Sequence, residues 1–294
     1  MQKPTTIAII GTGRMGGGIA CNLAQQFTVV VYDLSEAAIQ RCVDAGARAA
    51  ATTVEAVLNA DLVITSLPLP KHVLAAFAEI TPHLRPGTIC MDVSTVDPST
   101  AATLEHQLEE SGHHFVACPL GKGPAQADAG ELPLFIGGKK EPIDALEDVF
   151  TCIGAEQYRM GGVEAATMFK LVSNLIGMTN LAVLAEGYLL CKRAGVTGDA
   201  FQTALADTGG WSYQAQLRLP WMMAGDFNQR FGVRLGLKDL RLAVDQASQW
   251  GIPTPVGALG MSQLASAAAH GYDEEDVNAV LKVLDPRGEV LGCE

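Results

Sequence analysis

The sequence predicts an α/β protein with an N-terminal Rossmann-type doubly wound parallel sheet and an all-α C-terminal domain. Strand-like and helix-like segments alternate from Thr5 to Gly162, which is the pattern of a parallel sheet covered by helices. A G-x-G-x-x-G motif at 11–16 follows the first strand-like segment and opens a helix-like one. The strand signal stops after Gly162, so we predict two domains, residues 1–163 and 164–294.

The first domain is predicted to contain six strands, with helices between them. The strand-like segments are TTIAII, FTVVVYD, DLVITSL, TICMDVS, HFVACPL and LPLFIGG. The helix-like segments cover residues 15–26, 35–45, 53–59, 72–84, 99–111 and 141–151. Each interval is long enough for a crossover connection, so we expect consecutive strands to run parallel.

The second domain is predicted to be helical from residue 165 to 284, and its first helix is long. The pattern runs without proline over 164–194 and ends at Lys192 and Arg193 before Gly195, a cationic last turn with a glycine cap. About 30 residues at 1.5 Å each span roughly 45 Å, which is more than one small domain needs. Because this helix is apolar most of the way round, we expect a homodimer or homotetramer.

Composition sets limits on partners and compartment. The 294 residues are 48% hydrophobic and carry a net charge of −12, which argues against nucleic acid or an anionic membrane surface as partner. The seven cysteines are scattered and never form C-x-x-C, as expected of structural thiols in a reducing compartment, with Cys293 the candidate for an exposed thiol.

The apolar stretch at 175–191 contains Asn180 and Glu186, so a buried helix explains it better than a membrane span does. The N-terminus lacks the apolar region of a signal peptide, and we expect a cytoplasmic protein. The histidines show no metal-ligand spacing with cysteines or paired carboxylates, so no metal is expected.

The glycine motif predicts a dinucleotide site in the first domain. Its first glycine permits a tight turn, its second lets the backbone approach a pyrophosphate, and its third allows close packing of helix on strand. Asp33 ends the second strand at about the expected 20-residue offset, where its carboxylate can accept hydrogen bonds from ribose hydroxyls and repel a 2′-phosphate. No arginine follows it in LSEAA, so NAD is the favoured cofactor. The alternative is a plain tight turn with Asp33 as a strand-end cap. The predicted cofactor-binding residues here are Gly11, Thr12, Gly13, Arg14, Met15, Gly16 and Asp33.

Lys170 and Asn174, in FKLVSN, supply a candidate proton donor. Residues four apart lie on one face of a helix, so the ammonium and the amide can meet one small carbonyl or hydroxyl. A lysine and an asparagine at this spacing can also form a solvated helix face. The flanking sequences AATMF and LVSNLIGMTNLAVLA are apolar, which favours the catalytic interpretation.

These motifs resemble those of the β-hydroxyacid dehydrogenases, which include 3-hydroxyisobutyrate dehydrogenase and tartronate semialdehyde reductase. The resemblance covers nearly the whole chain. It rests, in order, on GTGRMGGGIACNL, SLPLPKHV, DVSTVDPST, ACPLGKGPAQADAGELPLFIGG, MFKLVSN and FGVRLGLKDLRLAVDQA.

The resemblance implies roles for further residues. It implies that Leu67 and Pro68 line the adenosine side and that Ser94 and Thr95 lie beside the nicotinamide and its ribose. It further implies that Lys170 is catalytic, Asn174 orients the substrate, Phe231 forms a wall of the nicotinamide pocket and Lys238 reaches the cofactor. Each of the less specific positions has a structural alternative: Ser94-Thr95 as a helix cap ahead of Pro98, Phe231 as core, and Lys238-Asp239 as an exposed pair.

The chain departs from the family in the expected substrate segment. The family usually reads Pro-Val-Ser-Gly-Gly where this chain reads Pro119-Leu120-Gly121-Lys122-Gly123, so a hydroxyl is lost at Gly121 and an ammonium is gained at Lys122. Lys122 then pairs with a substrate carboxylate, or with a sulfonate as in the sulfolactaldehyde reductases that this segment partly resembles, or it points to solvent. Trp211, in TGGWSYQ, either shapes the substrate pocket or belongs to the core.

The leading hypothesis is an NAD-dependent oxidoreductase that transfers a hydride between nicotinamide and a short 3-hydroxy acid or its semialdehyde. Lys170 donates or accepts the proton, and the substrate is a small anion. The alternatives are a sulfolactaldehyde reductase-like enzyme that binds a sulfonate through Lys122, an imine reductase, and a non-catalytic NAD-binding module. Imine reductases of this architecture generally lack the catalytic lysine, so retention of Lys170 and Asn174 argues against that class.

Overall fold

The structure, a computed structural model, describes residues 1–288. Cys293, the expected exposed thiol, lies outside the described residues. The chain divides into two compact units, Met1–Lys170 and the residues from Leu171 onward. The predicted boundary between residues 163 and 164 stays a prediction.

The first unit contains one sheet of eight strands. In chain order they are β1 (Thr6–Ile10), β2 (Thr28–Tyr32), β3 (Arg48–Ala49), β4 (Leu62–Thr65), β5 (Ile89–Asp92), β6 (His114–Ala117), β7 (Pro133–Gly138) and β8 (Glu156–Gly161). Their order across the sheet is β3-β2-β1-β4-β5-β6-β7-β8. Strands β1 to β6 run parallel, and the order reverses direction at β1 and β4, as in a doubly wound sheet. The predicted fold class is confirmed.

The expectation that all consecutive strands run parallel is wrong for β6 and β7, which pair antiparallel. Residues 119–121 extend β6 and pair antiparallel with residues 133–135: Gly121 N donates to Pro133 O at 2.8 Å, and Phe135 N donates to Pro119 O at 3.0 Å. The connection over residues 122–132 is too short for the crossover that a parallel pair needs. Two strands were not predicted, since β3 has only two residues and the edge strand β8 is largely exposed and polar.

The helices of the first unit largely follow the predicted segments. They are α1 (Arg14–Leu23), α2 (Glu36–Asp44), α3 (Thr53–Val57), α4 (Pro70–Ile80), α5 (Pro98–Glu110), α6 (Pro124–Ala129), α7 (Lys140–Ala145) and α8 (Glu147–Ile153), with a 3₁₀ turn at Thr81–His83. The segment predicted as one helix at 141–151 is two helices, because Leu146 leaves helical geometry and inserts fully into the core. Helix α6 was not predicted, and its six residues are too few for a periodic signal.

Both faces of the sheet are buried. Alternate residues of β1 enter opposite cores, Ile7 on one face and Ala8 on the other, and both are inaccessible to solvent. This explains why the strands read as continuous apolar runs, as expected of a parallel sheet with helices on both faces.

The second unit is helical in its described part, as predicted. Its helices are α9 (Val163–Arg193), which begins in the first unit, α10 (Gly198–Ala206), α11 (Tyr213–Met223), α12 (Val233–Gln249), α13 (Pro255–Ala269) and α14 (Val280–Leu284), with a 3₁₀ turn at Val277–Ala279. Gly195 follows α9 with a φ of +91°, the left-handed conformation of the predicted glycine cap.

Helix α13 packs closely against α9 through two glycines. A Cβ placed on Gly257 would lie 2.7 Å from the Leu175 side chain, and one on Gly260 would lie 2.9 Å from Thr179 Oγ1. By length and composition alone, helix α9 is apolar enough to cross a membrane, with a mean hydropathy of 1.4, but the core helix of a soluble protein can have the same length and composition.

Candidate active site

The turn after β1 needs two of its three motif glycines for packing. Gly11 has a φ of +92°, and a Cβ there would lie 2.3 Å from the carbonyl oxygen of Ser66. A Cβ on Gly16 would lie 2.0 Å from the carbonyl oxygen of Gly11. Both distances are far below van der Waals contact, so any side chain would disrupt the turn or its packing.

Gly13 differs from both, because no residue among 1–288 crowds the space where its side chain would lie. Its φ is −60°, and a Cβ there would have no neighbour within 4 Å in this part of the chain. It caps α1 without a side-chain hydrogen bond, which leaves the N-terminus of the helix open to a ligand. The buried Thr12 Oγ1 also has no hydrogen-bond partner among residues 1–288. These features fit a pyrophosphate that approaches the backbone at Gly13.

Asp33 connects this turn to the end of β2. Its carboxylate accepts hydrogen bonds from Thr12 N at 2.6 Å and from Ser35 N at 2.8 Å. A carboxylate has about four acceptor positions, so two remain for ribose hydroxyls. Of the other motif residues, Arg14 is exposed, and Met15 is partly buried against the core.

Ser94 is held by a buried carboxylate that the sequence analysis did not identify. Asp92 Oδ1 accepts from Thr65 Oγ1 at 2.7 Å and from Ser94 Oγ at 2.6 Å. Ser94 Oγ in turn accepts from Leu67 N at 2.9 Å. The hydroxyl proton of Ser94 is therefore committed to Asp92, so Ser94 can offer a ligand only an acceptor. These bonds join the ends of β4 and β5 beside the turn at Gly11.

Residues Pro68 and Thr95 lie in the same loops. Pro68 is exposed and Thr95 is half-buried. The alternative that Ser94-Thr95 cap the next helix does not hold, because Asp97 caps α5 through its bond from Thr100 N at 2.9 Å.

The segment with Lys122 has unusual backbone geometry. Lys122 has a φ of +59° and is the one non-glycine residue with positive φ in the part of the chain that the structure describes. Left-handed geometry costs a residue with a Cβ about 1–2 kcal/mol. The Lys122 side chain is exposed, and no residue among 1–288 forms an ion pair with it. A Cβ on Gly123 would meet nothing within 4 Å, so this segment also leaves open space.

Aromatic contacts connect the Lys122 segment to the start of α9. A Cβ on Gly121 would lie 3.2 Å from Phe135 Cζ. The Phe135 ring packs edge-on against Phe169, with centroids 4.7 Å apart. Because Phe169 precedes Lys170, the segment with Lys122 and the start of α9 lie beside the same aromatic cluster, within the first unit.

Asn174 is oriented by a buried carboxylate on α12. Asn174 Nδ2 donates to Asp239 Oδ2 at 2.6 Å, and Lys238 Nζ lies 2.9 Å from Asp239 Oδ1. Asp239 is only 2% exposed. A carboxylate accepts but cannot donate, so this contact fixes which end of the Asn174 amide faces Asp239. Lys170 lies one turn before Asn174 on the same helix and is half-buried.

Phe231 and Trp211 both pack partly buried against the core of the second unit. The backbone at Phe231 is fixed by Asp276, which is fully buried and accepts from Phe231 N at 2.8 Å and from Arg218 Nε at 3.0 Å. The expected contacts of Phe231, Trp211 and Lys238 with ligands stay predictions.

Sequence reasoning missed Asp92, Phe135 and Asp276. A usable signal existed for Asp92, since a carboxylate at the end of the apolar run TICMD needs hydrogen-bond donors when it is buried. Nothing comparable marks Phe135, which reads as one more apolar residue of a strand.

The chain matches two family models. One, described as the NAD binding domain of 6-phosphogluconate dehydrogenase, covers residues 6–162. The other, described as NAD-binding of NADP-dependent 3-hydroxyisobutyrate dehydrogenase, covers residues 165–284.

Similar proteins match over nearly their full length. The 2-(hydroxymethyl)glutarate dehydrogenase of Eubacterium barkeri is 30% identical, with 96% of each chain covered. The 3-sulfolactaldehyde reductase of Escherichia coli K12 is 29% identical, with 94% of each chain covered. A structure of Mycobacterium tuberculosis 3-hydroxyisobutyrate dehydrogenase with L-serine superposes with a TM-score of 0.89 at 25% identity, over 97% of this chain and 99% of that one.

Proposed function

The chain belongs to the β-hydroxyacid dehydrogenase family of nicotinamide-dependent oxidoreductases, and on that premise we propose that it interconverts a short 3-hydroxy acid and its semialdehyde with NAD. The observation that carries the proposal is the group formed by Lys170, Asn174 and Asp239. A lysine and an asparagine stand one helical turn apart, and a buried carboxylate holds the amide in one orientation.

Each member of this group has a chemical task. A bound nicotinamide supplies the hydride for reduction and accepts it for oxidation. Lys170 gives a proton to the carbonyl oxygen during reduction and takes the hydroxyl proton during oxidation. Asn174 holds the same oxygen, and Asp239 keeps its amide in position before the substrate arrives, which lowers the cost of ordering the complex.

The nucleotide turn supports NAD as the partner. Gly11, Gly13 and Gly16 with the open helix N-terminus would hold the pyrophosphate, and Asp33 would accept from the ribose hydroxyls. A 2′-phosphate beside Asp33 would place two negative charges together, which favours NAD over NADP.

Lys122 is our candidate for the substrate's acid group. Its ammonium carries three donors and is exposed without an ion-pair partner among the described residues. Its left-handed backbone is a strained geometry of the kind that clusters at functional sites. We propose a carboxylate as the ligand.

A sulfonate is the second candidate. Gly121 supplies no hydroxyl, so the ammonium of Lys122 is the one side-chain donor at positions 121–123. This ammonium can donate to a carboxylate or to a sulfonate. The similarity to a 3-sulfolactaldehyde reductase supports this alternative.

Initial rates with NAD, read as NADH absorbance, test the proposal. The substrates are 3-hydroxyisobutyrate, glycerate, L-serine and 2,3-dihydroxypropanesulfonate, with the matching alcohols that lack an acid group as controls. We expect kcat/KM to be about 10- to 100-fold higher for an acid than for its control, because a charge-assisted contact contributes roughly 1.5–3 kcal/mol. Equal rates on acids and uncharged alcohols would contradict an anion site, and no oxidation of any of them would overturn the proposed reaction.

We also propose that the protein is a homodimer or homotetramer. Three apolar residues at seven-residue intervals on α9 are exposed: Ile176 (56%), Val183 (61%) and Leu190 (73%). Seven-residue spacing places them along one helix face, and such an apolar stripe is unfavourable in water. Light scattering after gel filtration should give at least twice the 30.9 kDa of one chain, with Val183→Glu lowering that mass. A monomer at micromolar concentration would contradict this proposal.

A further inference from the structure

A side chain at position 121 would crowd Pro133 and Phe135. We propose that Phe135 determines acid-group specificity: its ring, with Pro133, excludes a hydroxyl-bearing residue at 121 and so leaves acid recognition to Lys122. This inference rests on the proposed function, in which Lys122 binds the substrate's acid group.

The exclusion follows from distances around Gly121. A Cβ there would lie 3.0 Å from both Cβ and Cγ of Pro133 and 3.2 Å from Phe135 Cζ. These contacts are too short for carbon atoms at their preferred separation of about 3.5–4.0 Å. A serine oxygen lies one bond farther from the backbone, so it would need still more room.

Neither neighbour can move away easily. Gly121 N donates a hydrogen bond to Pro133 O at 2.8 Å. Pro133 is the first residue of β7, which pairs with β8. The Phe135 ring is 7% exposed and is bordered by Phe169 and by Tyr158, whose centroids lie 4.7 Å and 6.0 Å away. The space at position 121 is therefore bordered by the Pro133 ring on one side and by the buried Phe135 ring on the other.

The chemical consequence concerns how the acid group is selected. A serine hydroxyl at 121 would present a directed hydrogen bond, which distinguishes one acid geometry from another. The ammonium of Lys122 is instead a compact charge with rotatable donors, which suits a planar carboxylate or a tetrahedral sulfonate. Phe135 thus makes the site depend on charge rather than on a directed hydroxyl bond.

Paired variants test the exclusion through stability. We expect Gly121→Ser to lower Tm by at least about 4 °C, as overpacking does, and Phe135→Leu in the same chain to recover most of that loss. The control is Phe77→Leu, which shortens another buried phenylalanine of the first unit, one that packs against Phe115, and should only add its own loss. If Gly121→Ser alone leaves Tm unchanged, or if Phe77→Leu restores it equally well, the exclusion is wrong.

The same variants in a Lys122→Gly background test specificity. Lys122→Gly should raise KM for carboxylate and sulfonate substrates alike. Adding Gly121→Ser alone should leave KM high, whereas adding Gly121→Ser with Phe135→Leu should lower KM for the carboxylate at least about 10-fold. Equal recovery without Phe135→Leu, or no recovery with it, would overturn the specificity role of Phe135.

Different results would contradict the acid-binding role of Lys122 and the packing role of Phe135. If Lys122→Gly leaves KM unchanged for every acid, the anion-binding role of Lys122 in the proposed function is wrong, and the specificity role of Phe135 falls with it. The Tm values of the Gly121→Ser and Phe135→Leu variants still decide the packing exclusion in that case, because they require no substrate.

Discussion

Asn174 Nδ2 lies 2.6 Å from Asp239 Oδ2, and this hydrogen bond joins α9 to α12 at the residue next to Lys238. The two ends of an asparagine amide differ in hydrogen bonding, one donating and one accepting, so a partner that can only accept fixes the orientation of the amide. Asp239 is such a partner, and it is buried, so the bond is protected from water.

Replacing Asp239 with asparagine tests this relationship. Asp239→Asn keeps the size of the side chain but presents an amide that can meet Asn174 with either end, so the orientation is lost. We expect kcat to fall about 10–100-fold, the range for a hydrogen bond to a charged group, while KM for NAD changes little. Steady-state kinetics with Tm as a folding control measure this effect. An unchanged kcat would show that Asp239 does not position Asn174.

The left-handed conformation of Lys122 predicts opposite changes in stability and binding. Lys122→Gly removes the backbone strain and should raise the free energy of unfolding by about 1 kcal/mol while it weakens substrate binding. Lys122→Ala is the matched control, because it removes the charge but keeps the Cβ, and it should weaken binding without the gain in stability. Urea unfolding and substrate KM measure both effects. Equal stability of the two variants would contradict the strain.

The two glycines Gly11 and Gly13 are expected to respond differently to substitution. Gly11→Ala should destabilise the fold, because its φ is +92° and a Cβ would overlap the carbonyl of Ser66. Gly13→Val should lower Tm far less than Gly11→Ala does but raise the Kd for NAD by at least about 10-fold, since it fills space that only a ligand would occupy. Calorimetric titration with NAD and thermal unfolding separate the two. Normal NAD binding by Gly13→Val would contradict the assigned pyrophosphate position.

The lowered pKa of His113 should make the free energy of unfolding depend on pH. Burial lowers the pKa of this imidazole below its ordinary value of 6.5, with the nearby His114 as a smaller cause. A lowered folded-state pKa means that the unfolded chain binds the proton more readily. The contribution of His113 is therefore fully present above pH 6.5 and is lost as the pH falls from there towards the lower folded-state pKa. Urea unfolding at pH 5.5 and 7.5 should show this loss, and His113→Gln should reduce it. A His113→Gln variant with the same pH dependence would rule out this origin.

Much of the fold could be predicted because its signals are local. The strands β1 and β4 are apolar runs between turns, and the glycine motif needs a strand and a helix on either side. The antiparallel β7 could not be predicted in this way, because its direction depends on the pairing of residues 119–121 with 133–135. No local pattern encodes which strand a short return segment will join.

Candidate site residues could be proposed from the sequence where a residue type carries its own chemistry. Lys170 and Asn174 stand out in an apolar helix, and Lys122 stands out where the family has glycine. The supporting residues were less visible, since Asp239 is 65 positions from Asn174 and Phe135 is distant in sequence from Gly121 and Phe169. Their roles depend on contacts that only the folded chain creates.

The central claim, that Lys170 moves the proton, is tested most directly by the kcat of Lys170→Met. Lys140→Met is the control, because Lys140 is an exposed lysine on α7 that pairs with Asp144 on the same helix. We expect Lys170→Met to lower kcat by about 10²–10⁴-fold, as loss of a general acid–base group does, with Tm and the Kd for NAD unchanged and Lys140→Met fully active. A Lys170→Met enzyme that retains kcat within a few-fold of the native enzyme would contradict the mechanism.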